Sequence, residues 1–219
     1  MTSATLGPED APRGDLAEHR SQQLLGAAAR LMARDGSQAV SMQAVAGEAG
    51  VSVGLIYRYF GSKEELLLAV ILGVLDAFSV TVPAAIERAG EDPVERLAAA
   101  FRTYCEVIDE QRHAAVLTYR ESKSLSDAGR ERIKELEVRT SEPLRAVVRE
   151  GIAAGLLRDV DADLVAYNML LLAHAWALKH WYFERTLALD EYVRRQTALT
   201  LQAVLQPTLG KRYRHLLEP

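Results

Sequence analysis

Between Gly50 and Lys63 the sequence holds no acidic residue, yet it carries two cations, Arg58 and Lys63. The same window contains the hydroxyl donors Ser52, Tyr57, Tyr59 and Ser62. Cations beside hydroxyl donors suit phosphate: the charge supplies affinity and the hydroxyls fix position. The net charge of −4 over 219 residues argues in the other direction. A global charge is a poor guide, however, because phosphate contact needs only a local cationic surface.

Other chemistry is thinly represented. The single cysteine, Cys105, excludes an internal disulfide, fits a reducing compartment and has no basic helper near it in sequence. No glycine-rich phosphate loop is present. His180 and Glu184 lie one helical turn apart, but His174 precedes His180 by six residues and faces elsewhere. No metal and no cofactor is therefore expected. A helical enzyme or metal-dependent catalyst is the alternative, and it would need clustered groups where the sequence offers scattered histidines.

The elements that position these residues have helical spacing almost throughout, so the expected fold is all-α. A first helix from about Leu16 to Asp35 puts Leu24, Leu25, Ala28, Leu31 and Met32 on one face and ends at Gly36. Ser41 caps a short helix to Ala49, Gly50-Val51 turns, and Ser52 caps a second short helix to about Phe60. Ser62-Lys63-Glu64-Glu65 reads as a capping box opening a long helix that bends or stops near Pro83. Asp92-Pro93 opens a helix to about Gln111, followed by a shorter one from His113 to Glu121 and one from Ser126 to Ala154. Asp161 caps a very apolar helix ending near Glu184, and Asp190 caps the last, to about Leu205. Three parts follow: a helix-turn-helix head over 15–62, a helical body over 63–206, and a loosely ordered tail over 207–219. The polar stretch Met1 to Asp15 does not read as a signal peptide. The greasiest stretch, Leu164 to Trp181, is interrupted by Asn168, His174, Lys179 and His180 and falls short of a membrane span. A cytoplasmic protein is expected.

Two short helices cross steeply only where small residues let their backbones approach. Ala46 and Gly50 meet that need, with Ile56 plugging the junction and Val45, Ala49 and Val51 lining its underside. This leaves Ser52, Val53, Gly54, Tyr57 and Arg58 at the outer face, where a recognition helix presents residues to the major groove.

The run from Arg20 to Leu67 closely resembles the DNA-binding domain of the TetR family of regulators. The resemblance rests on Val40-Ser41-Met42-Gln43-Ala44-Val45-Ala46, on Gly50-Val51-Ser52-Val53-Gly54-Leu55-Ile56-Tyr57, and on Tyr59-Phe60-Gly61-Ser62-Lys63-Glu64-Glu65-Leu66. It implies a three-helix head on a variable helical body, binding a double-stranded, palindromic operator as a homodimer and released by a small molecule. An activator of the same fold is the alternative. DNA-contacting roles then fall on Ser41, Gln43, Ser52, Val53, Gly54, Tyr57, Arg58, Tyr59 and Lys63. Lys63, Tyr57 and Tyr59 suit phosphate, and Val53 suits a thymine methyl. Gly54 allows close approach, and Arg58 suits guanine or phosphate. Arg13 and Arg20 are further backbone candidates from the N-terminal flank.

Beyond residue 80 the resemblance fixes no ligand. The helix after Asp161 is apolar nearly all round, so it asks for burial in the monomer and for a partner beyond it. With the last helix it would form a four-helix seam across a two-fold axis. Polar residues inside apolar helices are pocket candidates: Tyr104, Cys105, His113, Tyr119, Glu121, Asn168, His174, Lys179 and His180, with apolar Leu117, Met169, Leu172 and Trp176. Tyr119-Arg120-Glu121-Ser122 and the stretch from Trp176 to Trp181 loosely resemble regulators of fatty-acid or acyl-CoA catabolism. An apolar or acyl effector follows, with a basic residue for its carboxylate or CoA.

Overall fold

The computed structural model describes residues 11–218, with side chains described from Arg20 onward. Eleven α-helices run through these residues. No strand forms among them beyond a lone bridge between Leu157 and Leu205. The head is α1 (Ala11–Asp35), α2 (Met42–Ala49) and α3 (Val53–Phe60). α1 stops where Gly36 takes φ 84°, a conformation that only glycine adopts without strain. Leu24, Ala28, Leu31 and Met32 pack inward from it.

α4 (Lys63–Arg88) passes from head to body without a break. Its residues Leu66, Leu67, Val70 and Ile71 belong to the same continuous core as Val74, Phe78 and Val82. α4 is the one described helix long and apolar enough to cross a membrane, and its apolar side is instead the packing face of that core. Pro83 does not end it. The ring lies on the exposed side, so the carbonyl freed one turn earlier faces solvent and the helix runs on to Arg88.

The body continues with α5 (Pro93–Glu110), α6 (Arg112–Arg120), α7 (Asp127–Ala153), α8 (Ala162–Leu178), α9 (His180–Phe183), α10 (Leu189–Val204) and α11 (Arg214–Leu217). α5 sits at the centre, against α4, α7, α8 and α10. Sequence-encoded caps set most starts. Asp92 accepts from the Val94 amide at 2.9 Å, Ser126 from Gly129 at 3.3 Å, and Asp161 from Leu164 at 2.9 Å.

Three features differ from expectation. The apolar helix after Asp161 stops at Leu178 rather than near Glu184. It breaks at Lys179, and the next turn folds over so that Phe183 stacks on Trp176 at 6.2 Å. Asp190 does not cap α10: the helix starts one residue earlier and Asp190 instead takes the Arg102 guanidinium at 2.5 Å. The segment after Pro207 is not loose. Tyr213 is 1% exposed, and its hydroxyl donates to the Asp92 carboxylate at 2.9 Å. His215 reaches Glu95 at 2.8 Å, so the C-terminal turn is fastened across the start of α5.

Candidate nucleic-acid interface and effector cavity

The α2–turn–α3 unit is built by three local devices. Ser41 Oγ accepts from the Ala44 amide at 3.1 Å and Ser52 Oγ accepts from Leu55 at 3.3 Å, each satisfying an orphan donor of its helix. Gly50 closes α2 at φ 67°, and the Val51 amide donates back to Ala46 at 3.0 Å. Val45 and Ile56 are 0% exposed and Ala46 is 2% exposed, so the small residue does lie where the two backbones approach.

This packing sends a distinct set of groups outward. Tyr57, Arg58 and Tyr59 are exposed on α3, Gln43 is exposed on α2, and Val53 is half-buried at the start of α3. Arg58 has no hydrogen-bond or ion-pair partner among the described residues. A Cβ placed on Gly54 would meet nothing within 4 Å, so no internal packing demands glycine there. Ser41 and Ser52 spend an oxygen lone pair on capping and keep their hydroxyl protons to donate elsewhere. Lys63 Nζ donates to the Gln38 carbonyl at 3.1 Å, which steadies the side chain and leaves two of its three donors. Glu64 and Glu65 occupy the same first turn of α4 and offset the positive end of that helix. The positive potential at this helix start therefore comes from the Lys63 charge more than from the helix terminus. Arg20 is exposed, and the side chain of Arg13 lies outside the described residues.

Polar contacts bind the head to the body. The Glu121 carboxylate accepts from the Ser37 hydroxyl, Arg120 donates to the Ala33 carbonyl at 3.2 Å, and Glu64 accepts from the Ser126 amide at 2.7 Å. The end of α6 thus grips the end of α1 and the loop that leads into α2.

A cavity of about 250 Å³ opens in the body between α4, α6, α7 and α8. Phe78, Tyr119, Glu137, Tyr167, Leu170 and His174 line it, with Leu75, Thr140 and Leu171. The Tyr119 hydroxyl is hydrogen-bonded to His174 Nδ1, and their rings meet edge-on at 5.5 Å. Burial pushes the Tyr119 phenol up to about 12 and His174 down to about 4, so both are neutral near pH 7. Burial also raises the Glu137 carboxyl above its ordinary value.

Of the ligand candidates read from sequence, Tyr119 and His174 line this cavity. Tyr104, Leu117, Met169 and Trp176 lie in the packed core, the Tyr104 hydroxyl donating to the Thr140 carbonyl at 2.5 Å and Trp176 Nε1 to Asp109 at 2.7 Å. Leu172 lines a groove between α8 and α10. His113 lines a cleft beneath α1, and Glu121 holds Ser37. Helical phase explains the difference. Tyr167, Leu170, Leu171 and His174 form one stripe of α8, about half a turn from the Met169–Trp176 stripe. The stripe could be found by its polar members, since tyrosine and histidine seldom share an otherwise apolar stripe without a reason. Glu137 gave less signal, among the many charges of α7. Lys179, the nearest basic residue to the α8 stripe in sequence, is exposed past the helix end, and no Lys or Arg lines the cavity.

Known proteins share this arrangement. Residues 24–70 match the sequence model for bacterial regulatory proteins of the tetR family, and residues 90–204 match the tetracyclin repressor-like C-terminal domain. The HTH-type transcriptional regulator HbdR of Aromatoleum sp. (strain CIB) is 40% identical over 190 residues, 87% of this chain and 82% of that one. The ketosteroid transcriptional regulator KstR2 of Mycobacterium tuberculosis superposes with a TM-score of 0.72 at 26% identity, covering 85% of this chain and 95% of that one. AibR, in complex with isovaleryl coenzyme A and operator DNA, has the same fold with a TM-score of 0.69 at 22% identity, covering 84% of this chain and 97% of that one. The acid-free stretch from Gly50 to Lys63, the shared helix α4, and matches that span both head and body together place this chain in the TetR family of DNA-binding transcriptional regulators.

Proposed function

We propose that this regulator is a cytoplasmic repressor that holds a palindromic operator as a homodimer and lets go when a small apolar or acyl effector enters the body. The observation that carries the reading is the outer face of α2 and α3, where Arg58 is unpaired beside Tyr57, Tyr59 and Lys63. In this reading Arg58 reads a base edge or a phosphate. Lys63, Tyr57, Tyr59, Ser41, Ser52 and Gln43 fix the head on the backbone, and Val53 and Gly54 allow close apposition to the groove. Support for the homodimer comes from the apolar face of α8 and α10, where Leu164 is 60%, Leu171 54% and Leu199 61% exposed around the groove that Leu172 lines. A second copy covering that face would set two heads side by side, which makes an inverted repeat the matching DNA.

Release follows from the connections between head and body. An effector in the cavity touches Phe78 on α4 and Tyr119 on α6, the helix whose next residues grip Ala33 and Ser37. Linkage requires the ligand to bind the DNA-free form more tightly, by the same factor by which it weakens DNA binding. A tenfold effect corresponds to about 1.4 kcal/mol, inside the ~1–3 kcal/mol common for such coupling. AibR was crystallised with both an acyl-CoA and its operator, which supports an acyl effector here. The test is a thermal-shift screen of fatty acids, acyl-CoAs and steroids, followed by operator titration with each hit. Hits that raise the melting temperature and weaken operator binding support the reading. A hit that stabilises the protein and leaves operator affinity unchanged counts against induction by that ligand.

A further inference from the structure

Glu137 is the only charged side chain among the described residues that line the cavity, and its carboxylate has no hydrogen-bond or ion-pair partner there. A half-buried carboxylate facing an apolar cavity without a protein donor relies on solvent, and filling the cavity with hydrocarbon alone would desolvate it further. Across the cavity stands His174. The Tyr119 hydroxyl and His174 Nδ1 share a hydrogen bond; with the hydroxyl as donor, the neutral imidazole carries its proton on Nε2. In that tautomer the Nε2–H has no protein acceptor among the described residues. The cavity therefore offers one free acceptor and one free donor between aromatic walls. The room, about 250 Å³, exceeds the roughly 150 Å³ cavity that accommodates benzene, so one substituted ring or a short branched chain fits.

A cationic ligand is the other way to satisfy a carboxylate, and the surroundings disfavour it. The Arg145 guanidinium already stands over the Tyr167 ring, 5.6 Å from its centroid. A second cation in the cavity would find that ring's face engaged and a like charge behind it. We propose that the cavity selects a neutral ligand with both a hydroxyl and a carbonyl group, the hydroxyl donating to Glu137 and the carbonyl accepting from His174 Nε2–H. This deepens the effector reading above and rests on it: the acyl or ketone carbonyl is held by His174, and Glu137 discriminates hydroxylated ligands from their deoxy counterparts.

The test uses the full chain and isothermal titration calorimetry. The probes are matched aryl and alicyclic ketones with a ring hydroxyl, without one, and with a ring ammonium in its place. The native protein should bind hydroxyl ketones about tenfold more tightly than deoxy ketones, a difference of ~1.4 kcal/mol. Glu137→Leu should shrink that preference to about twofold, while Glu137→Gln, which keeps an acceptor, should retain part of it. His174→Phe should weaken both ketones alike. Operator affinity without ligand should be unchanged in all three variants, which also shows that they fold. Equal affinity within the hydroxyl and deoxy pair, tighter binding of the ammonium probe, or no binding of any ketone overturns the inference. Operator binding in the same preparation is scored separately. If the hydroxyl preference holds while no operator is bound, the repressor reading fails and the cavity assignment stands.

Discussion

In the proposed interface Arg58 and Lys63 divide the work between them. Arg58 is exposed and unpaired on α3, whereas Lys63 is anchored on the Gln38 carbonyl at the start of α4. If Arg58 reads a base, Arg58→Ala costs about 1–3 kcal/mol on the preferred operator and relaxes sequence preference at one position of each half-site. Lys63→Ala weakens all duplexes about equally and flattens the salt dependence of binding by about one unit of slope. Anisotropy titrations on operator and scrambled DNA at several salt concentrations separate the two effects. These residues were legible in the sequence because their neighbours declare the local geometry: Ser41, Gly50 and Ser52 specify caps and a turn whatever lies elsewhere. Glu137 and the hydrogen bond between Tyr119 and His174 were less legible, because they matter only once α6, α7 and α8 are side by side.

At the level of elements, turns written in local chemistry appeared where expected, and turns written in tertiary contacts did not. Gly36, Gly50 and Gly155 all take positive φ at helix ends read from the sequence. Gly50→Ala puts a Cβ at φ 67° and should destabilise the head by about 1–2 kcal/mol, seen as a lower melting temperature with operator affinity reduced in parallel. The end of α8 at Leu178 carries no glycine or proline. It is set by Phe183 packing on Trp176, which sequence periodicity cannot register. The C-terminal turn is a second case, since the partners of Tyr213 and His215 lie more than a hundred residues earlier. Burial pushes the Asp92 carboxyl upward. The Tyr213 hydroxyl, the Val94 amide and Arg212 outweigh that and hold it below its ordinary value of 3.8. The group with a depressed folded value contributes stability above the unfolded value, and the contribution fades as pH falls through the folded one. Tyr213→Phe should therefore lower stability by about 1 kcal/mol at pH 7, with the gap closing below about pH 4. Urea melts of both proteins across that range check the sign. A gap that widens on acidification would assign the stabilisation to some other group.

The whole molecule couples two surfaces through one helix. α4 belongs to the head at Lys63 and to the proposed effector cavity at Phe78, while α6 carries Tyr119 into the cavity and Glu121 to Ser37. Ser37→Ala leaves the Glu121 carboxylate without that donor and loosens the grip of α6 on the head. It should reduce the factor by which effector weakens operator binding, while effector affinity in the absence of DNA changes little. In the proposed homodimer the apolar face of α8 and α10 supplies the remaining symmetry. Leu171 and Leu199 stand more than half exposed on it, and Leu199→Asp should halve the mass measured by light scattering and weaken operator binding sharply. The all-helical build and the shared α4 were legible because amphipathic spacing is a whole-chain property. The contacts between head and body were not, because Ser37 and Glu121 carry no local mark of their pairing. Selection of bound sequences from a pool of random duplexes puts all of this to one measurement. The account predicts enrichment of an inverted repeat with half-sites about one helical turn, roughly 10 base pairs, or a multiple of it apart. Enrichment of an isolated half-site, or of nothing at all, would contradict it.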